Sequence, residues 1–238
     1  MALSAGILII GSLLWDDERQ TWRDERLEMG SAETVTAPIR YGRLSSGKRR
    51  GNTYTMVFSR LCPAGRAKVV RCSHRISSPQ DVVREAECLW KAEQPSAQAN
   101  RIAAKWGCVA LLCNPERKIP EDIPQGWANR VAREPEYGVV RQTEEEGCLV
   151  SGDGLLRIPW PHLVEGGAVV QLDLLLATAN DPMLTDTPAS YPTVETIANA
   201  WNGAAGEHVE YFWKNIDNGI RTFQDDEITA RLRPRGRQ

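Results

Sequence analysis

Short runs of apolar and β-branched residues, separated by turn-forming residues, dominate the first third of the chain. Runs of this kind predict buried or half-buried strands. The first run, residues 7–10, ends at Gly-Ser, which is typical of a strand that enters a tight loop. The other predicted strands cover residues 34–41, 52–58, 67–72, 106–113 and 169–177. The pattern therefore indicates a fold that opens with a sheet.

The most regular helical pattern follows these first strands. Ser78 offers an N-cap, Pro79 suits the first helical turn, and Asp81 complements the helix dipole there. Apolar residues then recur at helical spacing at Val82, Val83, Ala86, Leu89 and Trp90. The spacing predicts a helix over residues 79–93.

The remaining segments give weaker patterns. Residues 193–201 and 209–223 carry apolar stripes that predict two further helices. The charged segment 16–29 predicts a surface helix or an ordered loop. Residues 116–165 are interrupted by prolines and glycines and predict irregular structure. Short strands are expected within it at 139–141 and 155–158.

Composition limits the class of protein. The chain has 238 residues, of which 42% are hydrophobic and 25% charged, as in an average folded chain, so wholesale disorder and a fibre are excluded. This length predicts a single elaborated domain over residues 1–228, with a basic tail over 229–238. The 29 basic and 31 acidic side chains leave a net charge of −2, so no overall field recruits nucleic acid or an anionic membrane.

The longest apolar run, residues 6–15, bears on location. It reaches about half of a bilayer span and is interrupted by Gly-Ser, so it does not predict a membrane helix. Acidic residues follow it and no Lys or Arg precedes it, which is unlike a signal peptide. Six cysteines are too sparse for a disulfide scaffold and predict free thiols. We therefore expect a cytoplasmic protein without a membrane partner.

The turn after the first strand is the first candidate for chemistry. Gly11 lets the backbone turn sharply, and consecutive amides such as those of Gly11, Ser12 and Leu13 can form a concavity that binds a carboxylate or an oxyanion. An ordinary strand-to-loop turn gives the same signal. The tripeptide alone therefore does not decide between the two.

The carboxylates of the predicted helix are the second candidate. At 100° per residue, Glu93 falls near the middle of the apolar face, while Glu85 and Glu87 lie on its flanks. Burial on that face raises the pKa of a carboxyl group and suits it to proton transfer near neutral pH. The alternative is that the helix frays and Glu93 turns to solvent.

Other kinds of site find little support. The histidines His74, His162 and His208 are far apart, and no metal-binding or nucleotide-binding spacing is present. The basic stretches at residues 40–50 and at the C-terminus lack interleaved aromatic residues and are more typical of solvated segments. We expect no metal, no cofactor and no nucleic-acid partner.

Taken in order, these features resemble the gamma-glutamylcyclotransferase family, including its ChaC branch. The family opens with an apolar strand ending in Tyr-Gly-Ser, and this chain has Ile-Gly-Ser at 10–12. The ChaC branch then carries Gly-Tyr-Arg and Arg-Gly-Thr elements, which Arg-Tyr-Gly-Arg at 40–43 and Arg-Arg-Gly-Asn-Thr at 49–53 resemble. The acid/base glutamate of the family closes a Leu-x-x-x-Glu, as Leu-Trp-Lys-Ala-Glu does at 89–93.

The same comparison ranks two glutamates and marks two departures. Glu85 also follows an arginine, as in the family, but comes early in the helix, so Glu93 is the first choice of acid/base and Glu85 the second. Ile10 replaces the family's tyrosine, and residues 116–190 have no counterpart. The resemblance covers residues 7–113 in order and residues 193–223 weakly.

The resemblance implies an α+β fold, a small mixed β-barrel flanked by helices, with residues 116–190 as a large insertion. It also implies a reaction without a cofactor, in which the α-amino group of a γ-glutamyl compound attacks its own γ-carbonyl. The products are 5-oxoproline and a released amine. Glu93 would transfer the proton, and the amides of residues 11–13 would hold a carboxylate or the developing oxyanion.

Two further residues enter as substrate-binding candidates through this resemblance. Arg50 adds positive charge for a substrate carboxylate, with a surface arginine as the alternative. Tyr211 lies in a Glu-Tyr-Phe element that resembles a helical motif of the family, with a core-edge aromatic as the alternative. The expected partner is a small molecule, and the oligomeric state is left open. The competing hypothesis is a non-catalytic module that binds a small molecule or a protein on the same fold.

Overall fold

The computed structural model describes residues 2–45, 51–138, 147–182, 184, 190–204 and 208–233. These residues form an α+β structure built on one mixed sheet of seven strands in the order β3-β2-β4-β1-β7-β6-β5. The strands are β1 (Ala5–Ile9), β2 (Glu33–Ser45), β3 (Thr53–Phe58), β4 (Ala64–Arg71), β5 (Ala103–Ala104), β6 (Gly107–Cys113) and β7 (Leu174–Asn180). The α+β class expected from the sequence is thus observed.

Strand β1 lies at the centre of the sheet. It pairs antiparallel with β4, with Ile7 opposite Val70, and parallel with β7, with Ile7 opposite Leu176. All five of its residues are buried. A continuous apolar run is what a strand covered on both faces requires. The parallel pairing brings the ends of β1 and β7 to the same edge of the sheet.

Six α-helices accompany the sheet among the described residues. They are α1 (Gln20–Arg26), α2 (Pro79–Glu93), α3 (Asp122–Val131), α4 (Val194–Gly203), α5 (His208–Asp217) and α6 (Asp225–Arg231). Helix α2 has the predicted bounds and the predicted start, a capping box between Ser78 and Asp81. Hydrogen bonds, above all from the Ser77 amide, lower the pKa of the Asp81 carboxyl despite some desolvation. No helix in the described ranges is both long enough and apolar enough to span a bilayer.

The expected β-barrel is wrong, because the sheet in the described part of the chain is open, with β3 and β5 as its edges. Strand β5 has only two residues, too few to pair along the six residues of β3. The sheet nevertheless curls, since the Asn180 side-chain amide at the end of β7 donates to the Met56 carbonyl of β3 at 3.5 Å. A cavity, described below, occupies the space between these strands.

Several predicted segments are redrawn. Residues 116–165 are not irregular throughout, because they contain α3, whose Trp127 is fully buried. Residues 139–141 lie outside the described residues, and the short strand expected at 155–158 is reduced to isolated bridges such as Leu111 to Leu155. The helix expected over 209–223 ends at Asp217, and α6 follows it.

The segment expected as an insertion, residues 116–190, supplies β7, which lies between β1 and β6. Leu174 to Ala179 of this strand are all buried. At the other end of the chain, α6 extends through Arg231, and residues 234–238 of the expected basic tail lie outside the described residues. This part of the chain therefore contributes to the centre of the sheet as well as to its periphery.

Candidate functional site

A cavity of about 230 Å³ lies at the edge of the sheet where β1 and β7 end. Sequence-predicted site residues from three separate parts of the chain line this cavity, namely Gly11, Ser12, Leu13, Glu93 and Tyr211. The fold therefore brings together the turn, the glutamate and the tyrosine.

The turn after β1 forms one wall. Residues Ser12–Leu14 make a single 3-10 turn, with the Leu14 amide donating to the Gly11 carbonyl at 3.2 Å. The buried side chain of Arg23 fixes this turn from behind by donating to the carbonyls of Leu13 at 2.9 Å and Asp16 at 2.8 Å. Burial lowers the pKa of the Arg23 guanidinium, although Asp16 and other acidic neighbours oppose this. No sequence pattern marks Arg23 for this role.

Helix α5 closes the cavity against Gly11. A Cβ atom at position 11 would lie 2.8 Å from the Tyr211 hydroxyl oxygen, closer than side chains normally approach. The Tyr211 ring is held by a parallel stack on Trp201, with centroids 5.9 Å apart, and by an edge contact with Trp15 at 5.8 Å. A side chain at position 11 would therefore force the Tyr211 hydroxyl to move, which favours glycine there.

The end of α2 forms the next wall. Glu93 is the last residue of the helix and is half-buried, and the Gln94 amide closes the final turn on the Trp90 carbonyl at 2.8 Å. The helix is therefore intact up to Glu93, contrary to the alternative in which it frays there. Behind this wall, Trp90 stacks on Trp106 with ring centroids 4.8 Å apart. Trp106, backed by this stack, gives the cavity an apolar side.

Arg43 brings a positive charge to the same cavity. Its guanidinium carbon lies 4.8 Å from the centre of the Trp106 ring, a cation–π distance, and both residues line the cavity. The register of β2 shifts between Tyr41 and Arg43, and such bulges redirect side chains. Tyr41 accordingly packs against Phe212, with ring centroids 5.9 Å apart. Glu93 and Arg43 thus place opposite charges on the wall of one cavity.

Of the predicted site residues, Glu85 lies elsewhere and Arg50 is not described. Glu85, the second choice of acid/base, is 3% exposed and forms an ion pair with Arg26, whose Nε donates to Glu85 Oε2 at 3.2 Å. It is not among the described residues that line the cavity. Burial alone lowers the pKa of Arg26, but the hydrogen bonds and charge of Glu85 raise it overall. Arg50 lies outside the described residues.

The end of β7 adds two residues that sequence patterns do not single out. Thr178 and Asn180 both line the cavity. The Thr178 hydroxyl and the Asn180 side-chain oxygen are buried without a hydrogen-bond partner in the described part of the chain. Only the position of β7 beside β1, which the sequence does not reveal, brings them to this edge.

The described residues contain no group of three His, Cys, Asp or Glu side chains placed to hold a metal ion. No protein-family model matches the chain, and searches of curated proteins and of solved structures likewise gave no match. The geometry of the cavity is therefore the basis for a functional proposal, together with the motif resemblance.

Proposed function

We propose that this chain is a gamma-glutamylcyclotransferase-like enzyme that converts a γ-glutamyl amide to 5-oxoproline and a free amine. The observation that carries the proposal is that the 11–13 turn and Glu93, which the motif resemblance pairs, line one cavity although some eighty residues separate them. A turn of backbone amides and a half-buried carboxylate facing one ligand are what an intramolecular acyl transfer requires.

The proposed reaction balances without a cofactor. Glu93 accepts a proton from the α-ammonium group of the substrate, and the resulting amine attacks the γ-carbonyl carbon. The C–N bond of the γ-amide then breaks as Glu93 returns this proton to the leaving nitrogen. The attacking nitrogen loses a second proton when it becomes the lactam nitrogen, and the released amine takes up that proton and leaves as an ammonium ion. The amides of residues 11–13 stabilise the negative charge that develops on the carbonyl oxygen.

Arg43 completes the proposed recognition of the substrate. A guanidinium can bind a carboxylate through two hydrogen bonds, and the Trp106 ring holds this one in place. We assign it to the α-carboxylate of the substrate, the role that the resemblance gave to Arg50. The distribution of charge in the cavity then matches a zwitterionic amino-acid head.

The test is release of 5-oxoproline from a panel of γ-glutamyl dipeptides, γ-glutamyl amines and glutathione. Loss of a general acid/base typically costs 10²- to 10⁴-fold in rate, so Glu93→Gln is expected to lower kcat by that factor. Glu87→Gln is the matched control, because Glu87 lies on the same helix but pairs with Arg130, at 3.5 Å. It is expected to keep the wild-type rate. If the wild type turns over none of the panel members, the proposal is contradicted.

One observation favours a second candidate, a non-catalytic module that binds a small molecule. Ile10, which lines the cavity and is 8% exposed, stands where the resembling family has a tyrosine. A hydroxyl is thereby replaced by an apolar side chain at the mouth of the turn. Thermal stabilisation by a γ-glutamyl compound that is recovered unchanged supports this candidate over the enzyme.

A further inference from the structure

Two neighbouring oxygen atoms at the end of β7 have unused hydrogen-bonding capacity. Thr178 and Asn180 are two positions apart on one strand, so their side chains lie on the same face of the sheet. Both line the cavity. Thr178 is only 5% exposed, and neither its Oγ1 nor Oδ1 of Asn180 has a hydrogen-bond partner among the described residues.

Buried polar atoms without partners are costly. Each is expected to cost about 1–3 kcal/mol, and most buried polar atoms in folded proteins are paired. Thr55 of the same cavity illustrates the usual arrangement, since its hydroxyl donates to the Arg43 carbonyl at 3.4 Å. Two unsatisfied oxygens on the same face of β7, belonging to two residues that line the cavity, therefore indicate a ligand that supplies hydrogen-bond donors.

We infer that Thr178 and Asn180 form the subsite for the amino group of the ligand, with both side-chain oxygens accepting hydrogen bonds from an α-ammonium group. This assignment rests on the proposed function and adds the residues that hold the attacking nitrogen. An ammonium group has three N–H donors, so two bonds to β7 leave the third for Glu93, which accepts the proton. The two N–H groups that remain keep the nitrogen beside the γ-carbonyl.

The subsite is tested by binding of two probes, L-glutamate and glutarate, which differ only in the α-amino group. Their dissociation constants are measured by thermal shift against ligand concentration, because a ligand that binds the folded state raises its stability. A hydrogen bond to a charged group contributes about 1.5–3 kcal/mol, so Thr178→Val is expected to lower the preference for L-glutamate about tenfold or more. Comparing the same two probes across variants cancels the difference in their charge.

The stability of Thr178→Val gives an independent readout. Valine has nearly the shape of threonine, and the hydroxyl it removes has no partner among the described residues. The variant is therefore expected to melt at or above the wild-type temperature while it binds L-glutamate more weakly. Thr36→Val is the matched control away from the cavity: it loses a hydroxyl that already donates to the His162 carbonyl at 3.4 Å, so it is expected to melt lower and to keep the wild-type preference. Asn180→Leu is expected to change the preference in the same direction as Thr178→Val.

The outcomes separate this inference from the proposed function. An unchanged preference in Thr178→Val and Asn180→Leu, or no preference in the wild type, overturns the subsite and leaves water as the partner of both oxygens. Turnover of the γ-glutamyl panel with an unchanged KM in Thr178→Val likewise overturns the subsite alone. A wild type that prefers L-glutamate over glutarate but releases no 5-oxoproline supports the subsite and contradicts the cyclisation.

Discussion

The two glutamates of α2, Glu85 and Glu93, occupy contrasting surroundings although they lie on one helix. Glu85 is 3% exposed and is neutralised by the Arg26 guanidinium, with His74 Nδ1 3.9 Å away. Glu93 is half-buried at the end of the helix and lines a cavity that also contains Arg43. Of the two glutamates, Glu85 is thus the more deeply buried and is paired with an opposite charge, whereas Glu93 lies where a ligand has access.

This contrast separates a structural from a chemical use of the same side chain. A carboxylate held by a bidentate arginine has its hydrogen-bonding capacity committed to the fold. A carboxylate on a cavity wall can exchange a proton with whatever enters. We therefore expect Glu85→Gln to lower mainly the stability of the protein and Glu93→Gln to lower mainly its turnover.

The largest effect on stability is expected for Glu85→Gln. Removing one charge of a buried ion pair leaves the other uncompensated, so the free energy of unfolding is expected to fall by about 3 kcal/mol or more. Glu93→Gln is expected to cost less than Glu85→Gln, because Glu93 is only half-buried and its charge stays in contact with solvent. Urea denaturation of both variants measures the difference. A Glu85→Gln protein as stable as the wild type contradicts the structural role.

A cycle with Arg26→Gln sharpens this result. If Glu85 and Arg26 act as a pair, the double variant loses less stability than the sum of the two single variants, because no buried charge is left unpaired. Additive losses contradict the pairing. The cycle therefore separates the loss of the ion pair from the loss of packing.

The sequence predicts the helix that carries both glutamates, and the position of Glu93 at its end, well. Ser78, Pro79 and Asp81 set the start of α2, and the apolar spacing sets its length, so Glu93 is correctly placed at its end. These signals are local, since a helix is fixed by residues within a few positions of one another. The turn at Gly11 is found for the same reason.

The partners of these glutamates and of the cavity depend on contacts between residues that are distant in the sequence. Arg26 and Glu85 meet across 59 positions, and Thr178 reaches the cavity only because β7 pairs with β1. Strand order is set by pairing between remote segments, which local patterns do not encode. The barrel expected from the resemblance was wrong for this reason, because nothing local reveals that β5 has only two residues.

A third carboxylate, Asp225 of α6, extends the comparison to a buried acid without such an arginine pair. It is 2% exposed, its Oδ1 accepts a hydrogen bond from Thr222, and its Oδ2 has no hydrogen-bond partner among the described residues. Burial raises the pKa of Asp225 to about 6 from an ordinary 3.8. The folded state therefore binds this proton more tightly than the unfolded chain does. The stabilising contribution of the protonated Asp225 carboxyl is present below about pH 4 and is lost as the pH rises through about 6.

Asp225→Asn should remove this dependence. Asparagine keeps an oxygen for Thr222 and carries no charge, so the variant is expected to gain stability over the wild type between pH 4 and pH 7. The difference between a pKa of about 6 and 3.8 corresponds to about 3 kcal/mol, which is the upper bound of the gain. Denaturation at pH 4.5 and pH 7.5 measures it. A gain of equal size at both pH values contradicts the assigned titration.

The smallest effect concerns the cavity side, at Gly11. Its missing Cβ leaves room for the Tyr211 hydroxyl, which stacking on Trp201 holds in place, so Gly11→Ala is expected to cost about 1–2 kcal/mol and to weaken ligand binding. The nearest ring carbon, Cζ, would lie 3.8 Å from the new methyl group, an ordinary contact. Removing the hydroxyl with Tyr211→Phe should therefore relieve the strain. Gly11→Ala is expected to cost less in the Tyr211→Phe background than in the wild type, and equal costs in the two backgrounds would show that some other contact requires the glycine.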